Sequence, residues 1–494
     1  MSSTFVLLCM ALAVLAGTRL LLNWLHLHKA PGPFCAGATD LWRAYQQYNG
    51  QLRSKICDLH DQYGPIVRYG VRSISISDPE VISIAYGSRA GFTTAHSYDF
   101  LVGIQNGKEV PSLVSTRDEA RHAALRRSVA SAFTPTAVLD YESSIDATIR
   151  ELLAAISNKK AAFDLSSMIL WYTMDAAARF SFGDPLGCLS AEGDVGGSIQ
   201  LIRDRFNHWG RWSSLPRLER LIFRNPIAMR LKRAPSSMAA AAVSKLKKRS
   251  MTARENHSYQ DLLQRFINAG KDNPDVLDAS GIIGMLMSTI SGAGDTTATT
   301  IVATLYYLIR NPDIAKRLEA ELEGLCEIPS YAEVSKLPYL NAVIKESMRG
   351  FSSATWPIER LVPRGGVTIA GMFFPEGTSI GCLPSVIHQN EKIYGEDTQV
   401  FRPERWLTPN REELRLMEAT HMGFSRGRRV CLGQHIAMMQ MKKVIAAVLT
   451  KYKLSFVGPD PTLDADFSSA VACLKPLHVT SQARERDQIS HLVA

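Results

Sequence analysis

The chain has no CxxC pair and no cysteine spacing that suggests a disulfide framework. Its eight cysteines (Cys9, Cys35, Cys57, Cys188, Cys326, Cys382, Cys431, Cys473) are scattered over 494 residues, which points to a reducing compartment. Internal repeats, low-complexity tracts and a second linker of convincing length are missing too, which excludes solenoids and disordered arrays. No long block of like charge occurs, and 56 basic against 47 acidic side chains leave a formal charge of +9. That excess is too dispersed to imply nucleic acid; it suits an anionic membrane surface or an acidic protein partner. Nor is there a dinucleotide-binding glycine fingerprint, so electrons for a redox reaction would have to come from another protein. What remains is ordinary globular material, 46% hydrophobic and 21% charged, sufficient for a large buried core.

The amino-terminal residues MSSTFVLLCMALAVLAGT carry no charged side chain, and the apolar run continues past Arg19 into Leu20, Leu21 and Leu22. About twenty apolar residues span a bilayer, and Arg19 and Trp24 suit its interface. A cleaved signal peptide is the alternative. No basic segment precedes the run, whereas Arg19 and Lys29 follow its start, which favours an anchor with the body on the cytosolic side. The sequence Ala30-Pro31-Gly32-Pro33 forbids helix continuation and predicts a stiff, extended linker that holds the body at a set angle to the membrane. Residues 1–30 thus read as anchor and linker start, and 31–494 as one large domain. The sequon Asn256-His257-Ser258 is expected to be idle in a cytosolic body.

Helical periodicity dominates the remainder, clearest over Tyr141 to Ile156 and Leu340 to Met348. Short strands are expected at Ile66 to Tyr69, Ser73 to Ser77 and Val367 to Ala370. The class is mainly α with a small β portion. Ile282 to Ile309 reads as one very long helix, with Asp278 or Ser280 as cap and a stop at Asn311-Pro312. It is apolar on most sides, and Asp295 at its middle favours a buried helix over a second membrane span. The run Gly292-Ala293-Gly294-Asp295-Thr296-Thr297 within it consists of poor helix formers and invites a local kink, where Asp295 and Thr296 could simply satisfy a bent helix.

Near the carboxyl terminus, Phe424-Ser425-Arg426-Gly427-Arg428-Arg429-Val430-Cys431-Leu432-Gly433 precedes a strongly helical run from Gln434 to Leu449. The amides and dipole of that helix favour an anionic sulfur at Cys431 that could bind a metal. Gly427 and Gly433 would permit tight turns and close backbone approach, Arg429 could meet an anionic ligand group, and Phe424 could shield the sulfur. A buried structural cysteine is the default for such a residue in isolation. A zinc site from Cys431 and His435 lacks a second ligand pair nearby. Upstream, Glu346 and Arg349 stand three apart on one face of a predicted helix, which alone says little.

Taken together these elements resemble the cytochromes P450. FSRGRRVCLG matches every position of the family's FxxGxRxCxG loop, and the other motifs follow in family order across nearly the whole chain. The resemblance implies the cytochrome P450 fold with an N-terminal transmembrane helix, and haem b, iron protoporphyrin IX, with Cys431 as its axial thiolate and Arg429 on a propionate. Glu346 and Arg349 resemble the ExxR element which, with Arg405, would form an ion network bracing the pocket. Asp295 and Thr296 resemble the acid and threonine that deliver protons to bound dioxygen, although Ala293 stands where the family has glycine. His122 and Arg126 resemble the WxxxR element with His for Trp, and Arg360 a propionate-binding base.

The implied activity is a monooxygenase supplied by NADPH through a membrane-bound cytochrome P450 reductase, with cytochrome b5 as a second partner. Arg426, Arg428, Lys442 and Lys443 are expected to form a basic docking face. Substrate contacts would map to Ser97 to Ile104, Ile290 to Ala293, Ser352 to Ile358 and Ser468 to Cys473, where Tyr98, Phe100 and Trp356 suit a lipophilic guest. APGPFCAGATDLWRAY and QYGPIVRYGVRSISISDPEVISIAYG are similar to fungal microsomal members of the pisatin demethylase-like type, implying a terpenoid, polyketide or aromatic secondary metabolite and an endoplasmic reticulum membrane. The rivals are a haem-thiolate isomerase needing no external electrons and a non-catalytic haem sensor.

Overall fold

The structure, a computed structural model, describes residues 3–87, 91–105, 108–110, 112–231, 237–251, 260–459 and 461–484; the Asn256 sequon lies outside them. The amino-terminal run forms helix α1 (Ser3–His26), exposed along nearly its whole length and long and apolar enough to cross a membrane over Thr4–His26. Its carboxyl end is fastened to the body chiefly by Arg68, with Asn23 Nδ2 donating to Ala38 O at 3.0 Å beside it. Arg68 donates from Nη1 to Trp24 O at 2.8 Å, and from Nη2 to Asn23 O at 2.7 Å, Gly37 O at 3.0 Å and Val71 O at 2.7 Å. The Asn23 and Trp24 carbonyls are among the last of α1, which have no partner inside the helix. Leu27 and Ala30 are buried against the sheet residues Ile66 and Ile74, and Gly32 lies so close to the Arg68 carbonyl that a Cβ would sit 2.2 Å from it. The expected stiff linker is therefore a docked one.

Helices build most of the body. Those that carry the site are α2 (Glu119–Val129), α3 (Leu165–Phe182), α4 (Ser198–Trp212), α5 (Ala279–Ala293), α6 (Asp295–Arg310), α7 (Pro338–Gly350) and α8 (Gln434–Lys451). α3 is buried on nearly every side and packs with α5, α6 and α8 in the main core, as expected of a helix that is apolar all round. The predicted helices are present as Glu142–Ser157 and α7.

A five-stranded sheet flanks the helices. Its strands are β1 (Ile66–Arg68), β2 (Ser73–Ile76), β3 (Thr93–Thr94), β4 (Arg360–Leu361) and β5 (Ser379–Gly381), in the order β1-β2-β5-β4-β3. The β2/β5 pair is parallel and the other pairs are antiparallel. Register places Arg360 opposite Thr94 on one side and Ile380 on the other. The expected third strand is Val367–Ile369, turned at Gly371 (φ 77°) onto Met372–Phe374.

The long helix expected over Ile282 to Ile309 is two helices. α5 starts at the expected cap, where Asp278 accepts from Gly281 N at 2.7 Å. The chain leaves helical geometry at Gly294 (φ −67°, ψ −97°) and α6 begins at Asp295. The break is held from outside: Thr173 Oγ1 of α3 donates to Gly294 O at 3.2 Å, and a Cβ on Gly294 would lie 2.7 Å from Met174 Sδ. A glycine without a side chain is what lets α3 press against the bend.

Charged hydrogen bonds contribute about 1.5–3 kcal/mol each. Arg68→Ala in the full chain is thus expected to raise amide hydrogen exchange at residues 23–33 by more than ~10-fold while the core helices stay protected, as mass spectrometry can resolve.

Candidate functional site

A cavity of about 440 Å³ lies between the Cys431 loop with α8 on one side and the α5/α6 break on the other. Cys431 reaches it from the turn before α8. Its backbone N–H donates to Phe424 O at 2.9 Å, closing the loop, and its side chain is exposed to the cavity it lines. Burial pushes the thiol pKa up, against the opposing Gly433 amide and the Arg126 charge. Ionisation of the sulfur would therefore accompany ligation to a metal. His435 forms no metal cluster with it: no group of three or more His, Cys, Asp or Glu side chains gathers among the described residues.

The two loop glycines act differently. Gly427 has φ 69°, and a Cβ there would lie 1.6 Å from Tyr86 O, so the close approach expected of it is real. Gly433 has an ordinary φ of −80°; its open side, where a Cβ would meet nothing within 4 Å, borders the cavity. Phe424 also lines the cavity. Ser425 holds a positive φ of 60°, a strain that the sequence does not signal.

Along one edge stand four nitrogen-rich side chains, His122, Arg126, Arg360 and Arg429. Arg126 Nη1 donates to Val430 O at 2.9 Å. Arg429 reaches Thr116 O at 2.7 Å and Glu119 Oε1 at 2.7 Å. Arg360 donates to Glu359 O at 2.9 Å. His122 is buried, and burial together with the Arg429 charge pushes its pKa down to about 4, leaving a neutral ring. The cavity thus offers a sulfur, open space beside Gly433 and Gly292, and a cationic group of side chains. A planar macrocycle with two carboxylates along one side, such as haem b, fits that set.

Opposite the sulfur, Thr296 lines the cavity and its hydroxyl donates to Gly292 O. Asp295 does not line it. Its carboxyl is buried behind the bend, where Arg203 of α4 approaches Oδ1 at 3.2 Å. Burial raises its pKa, and the Arg203 charge opposes the rise. The acid and the threonine are adjacent in sequence yet face different surroundings, the acid reaching the protein interior and the hydroxyl the cavity.

The Glu346, Arg349 and Arg405 network is present, fully buried. Glu346 Oε1 accepts from Arg349 Nη2 at 2.8 Å, Arg405 Nε at 3.0 Å and Arg402 N at 3.0 Å. Its Oε2 accepts from Arg349 Nε and Trp406 Nε1, both at 2.9 Å. Burial opposes ionisation, but these donors outweigh it and hold the carboxyl below its usual range.

Three expectations are corrected. Lys442 and Lys443 do not join a basic docking face: Lys443 is fully buried and paired with Glu142 and with Asp146 at 2.7 Å. Lys442 is buried over the Tyr331 ring, its pKa pushed down to about 8 by burial and Lys345. Trp356 points away from the cavity, bonded to Glu359 Oε2 at 3.1 Å beneath Arg43. Phe100 packs on His208 and likewise stays outside. Of the three aromatics only Tyr98 is a lining residue. Sequence reasoning missed the α4 wall, Ile202, Arg205, Phe206 and Trp209, whose helical spacing was the signal available.

The sequence profile of the family described as Cytochrome P450 matches residues 39–479. A cytochrome P450 monooxygenase of Aspergillus terreus is 31% identical over 453 residues, covering 88% of this chain and 92% of its own. One of Sarocladium schorii is 30% identical, covering 93% of each, and one of Emericella nidulans 29% identical, covering 92% and 91%. With the matched profile spanning the sulfur loop, the buried ion network and the broken helix, the chain belongs to the cytochrome P450 monooxygenase family of oxidoreductases.

Proposed function

We propose that this chain is a membrane-anchored monooxygenase that inserts one oxygen atom of O2 into a lipophilic small molecule. Electrons would come from NADPH through a cytochrome P450 reductase, with cytochrome b5 as an auxiliary donor. Residues 1–30 serve as anchor and linker start and 31–494 as the catalytic domain, cytosolic on an endoplasmic reticulum membrane. The observation that carries the reading is the Cys431 side chain opening onto an apolar cavity across from the α5/α6 break. The fungal origin of the similar chains supports a terpenoid, polyketide or aromatic secondary metabolite as substrate.

Haem b bound through Cys431 supplies an iron whose thiolate ligand favours cleavage of the oxygen–oxygen bond. The chain holds and guards that group. Arg126, Arg360, Arg429 and the neutral His122 would bind its carboxylates, and Gly433 and Phe424 border the ring. Glu346, Arg349 and Arg405 brace the loop from behind: Arg349 Nη1 donates to His388 O at 3.0 Å, and His388 Nε2 accepts from Met422 N at 2.9 Å. Thr296 Oγ1, which donates to Gly292 O at rest, would turn to offer its proton on the cavity side, and Asp295, protonated at higher pH than an ordinary aspartate, would resupply it from the interior. Intact Asp295 and Thr296 favour this reading over an isomerase or a sensor, neither of which needs a proton relay.

Cys431→Ala is expected to abolish the red-shifted Soret band of the reduced, carbon monoxide-treated protein; a band that persists refutes the ligand assignment. Breaking a buried ion pair costs about 3–5 kcal/mol, so Glu346→Ala or Arg349→Ala should purify with less than ~10% of the normal haem content, measured as pyridine haemochrome. Asp295→Asn should slow turnover ~10²-fold. In the unsubstituted enzyme, product formation should fall as pH rises through the elevated Asp295 pKa. Arg203→Leu removes the charge that opposes this elevation and should move the fall to higher pH; an unchanged pH profile would separate Asp295 from the proton path.

A further inference from the structure

Among the described residues, the cavity wall contains four arginines, Arg126, Arg205, Arg360 and Arg429, and no aspartate or glutamate. Three of them belong to the edge already described. Arg205 is different in origin and in surroundings. It lies on α4, in the stripe Ile202, Arg205, Phe206, Trp209 whose spacing directs all four side chains to one helix face. Three members of the stripe are apolar, and the fourth is a permanent cation.

Charges near Arg205 do not neutralise it. Its hydrogen-bond partner is a backbone carbonyl, Leu101 O, to which Nη2 donates. Burial lowers its pKa, and another cation, Arg224, lowers it further. Arg224 is itself held by Glu219 at 3.2 Å and Glu109 at 3.0 Å. Arg203, two residues earlier and turned to another side of α4, holds Asp295. Among the described residues, therefore, the counter-charge for Arg205 is not supplied by the protein. Its donor edge is nevertheless held in place, because the Leu101 carbonyl belongs to the 3₁₀ segment His96–Leu101 and Trp209 Nε1 ties α4 to the same segment through Ser97 O at 2.5 Å.

A cation taken out of water with no opposite charge beside it is unfavourable. A planar guanidinium has two parallel N–H donors that match a carboxylate and are poorly used by a neutral ester or alcohol. We propose that Arg205 receives the carboxylate of the substrate, so that the substrate is a lipophilic carboxylic acid whose apolar body lies against Phe206, Trp209 and Ile202. The proposal rests on reading the cavity as the substrate chamber of a haem-thiolate monooxygenase. The acid group then sets orientation, since a molecule held at Arg205 presents its far end, not the carbons beside its carboxylate, for oxidation.

The test uses the purified full chain loaded with haem, and the spin-state change of the Soret band as the binding signal. Dodecanoic, hexadecanoic and abietic acids are titrated beside their methyl esters. At least one acid is expected to bind about tenfold more tightly than its ester at neutral pH, a difference of ~1.4 kcal/mol. Arg205→Leu should erase that preference, and Arg205→Lys, which keeps the charge but loses the fork, should retain part of it. Each variant is first checked for its carbon monoxide band, so that a misfolded protein is not scored. Equal binding of acids and esters by the unsubstituted protein, no binding of any of the three acids, or a preference that survives Arg205→Leu would each overturn the proposal while leaving the monooxygenase reading intact. Loss of the carbon monoxide band in the unsubstituted protein would instead overturn that reading, and the proposal with it.

Discussion

A single buried carboxylate, Glu346, organises the half of the molecule that holds the sulfur. It cannot remain ionised in the core without compensation, and two arginines, a tryptophan N–H and a backbone amide provide it. Each arginine then spends its other donors on carbonyls of the segment between residues 388 and 400. Asp397, held down to about 2 by its hydrogen bond from Arg402 and by Arg405, completes the charge balance. The result is that a stretch with only one short helical turn, Glu391–Tyr394, is held by side-chain hydrogen bonds from the two arginines. The sulfur loop leans on that stretch through His388 and Met422, and its position follows from that support.

The opposite wall depends on a different device, a helix interrupted by its neighbour. Gly294 lets α3 approach, and just past the bend two adjacent residues meet two environments: Thr296 the cavity, Asp295 the Arg203 side chain. Both residues lie in the first turn of α6, where successive side chains point about 100° apart around one cylinder. One direction meets Arg203 of α4 and is buried, the other opens on the cavity, so the acid's raised pKa is a consequence of packing.

Legibility in the sequence followed the range of the interaction. The sulfur loop, Glu346 with Arg349, and Asp295 with Thr296 are contiguous or one helical turn apart, and each was readable where it stands. The apolar run of α1, the short strands and the predominance of helix were readable from periodicity and composition. What escaped depends on partners distant in the chain. Nothing near Arg68 announces that it grips α1, 44 residues away. Lys443 looks like surface charge until Glu142 and Asp146, some 300 residues earlier, are seen to enclose it. Trp356 reads as a cavity aromatic until Glu359 and Arg43 claim it. The continuous helix was expected because the sequence marks a weak point but cannot say that α3 will press on it.

The charges of the site divide into a self-sufficient part and a dependent part. Around Glu346 the acids and bases are matched within the protein, so the support beneath the sulfur loop can form from the chain alone. At the cavity they are not matched among the described residues: four arginines line it without a lining carboxylate, and of the three on the edge only Arg429 has a side-chain acid, Glu119, in hydrogen-bond contact. Confined cations repel one another more strongly in a low-dielectric cavity than in water. Any ligand that brings negative charge to that edge therefore stabilises the folded body by binding it and not the unfolded chain. The support can thus exist before the cofactor arrives, while the cavity reaches its most stable form only when anionic groups occupy it, which makes cofactor loading and consolidation of the fold one thermodynamic event.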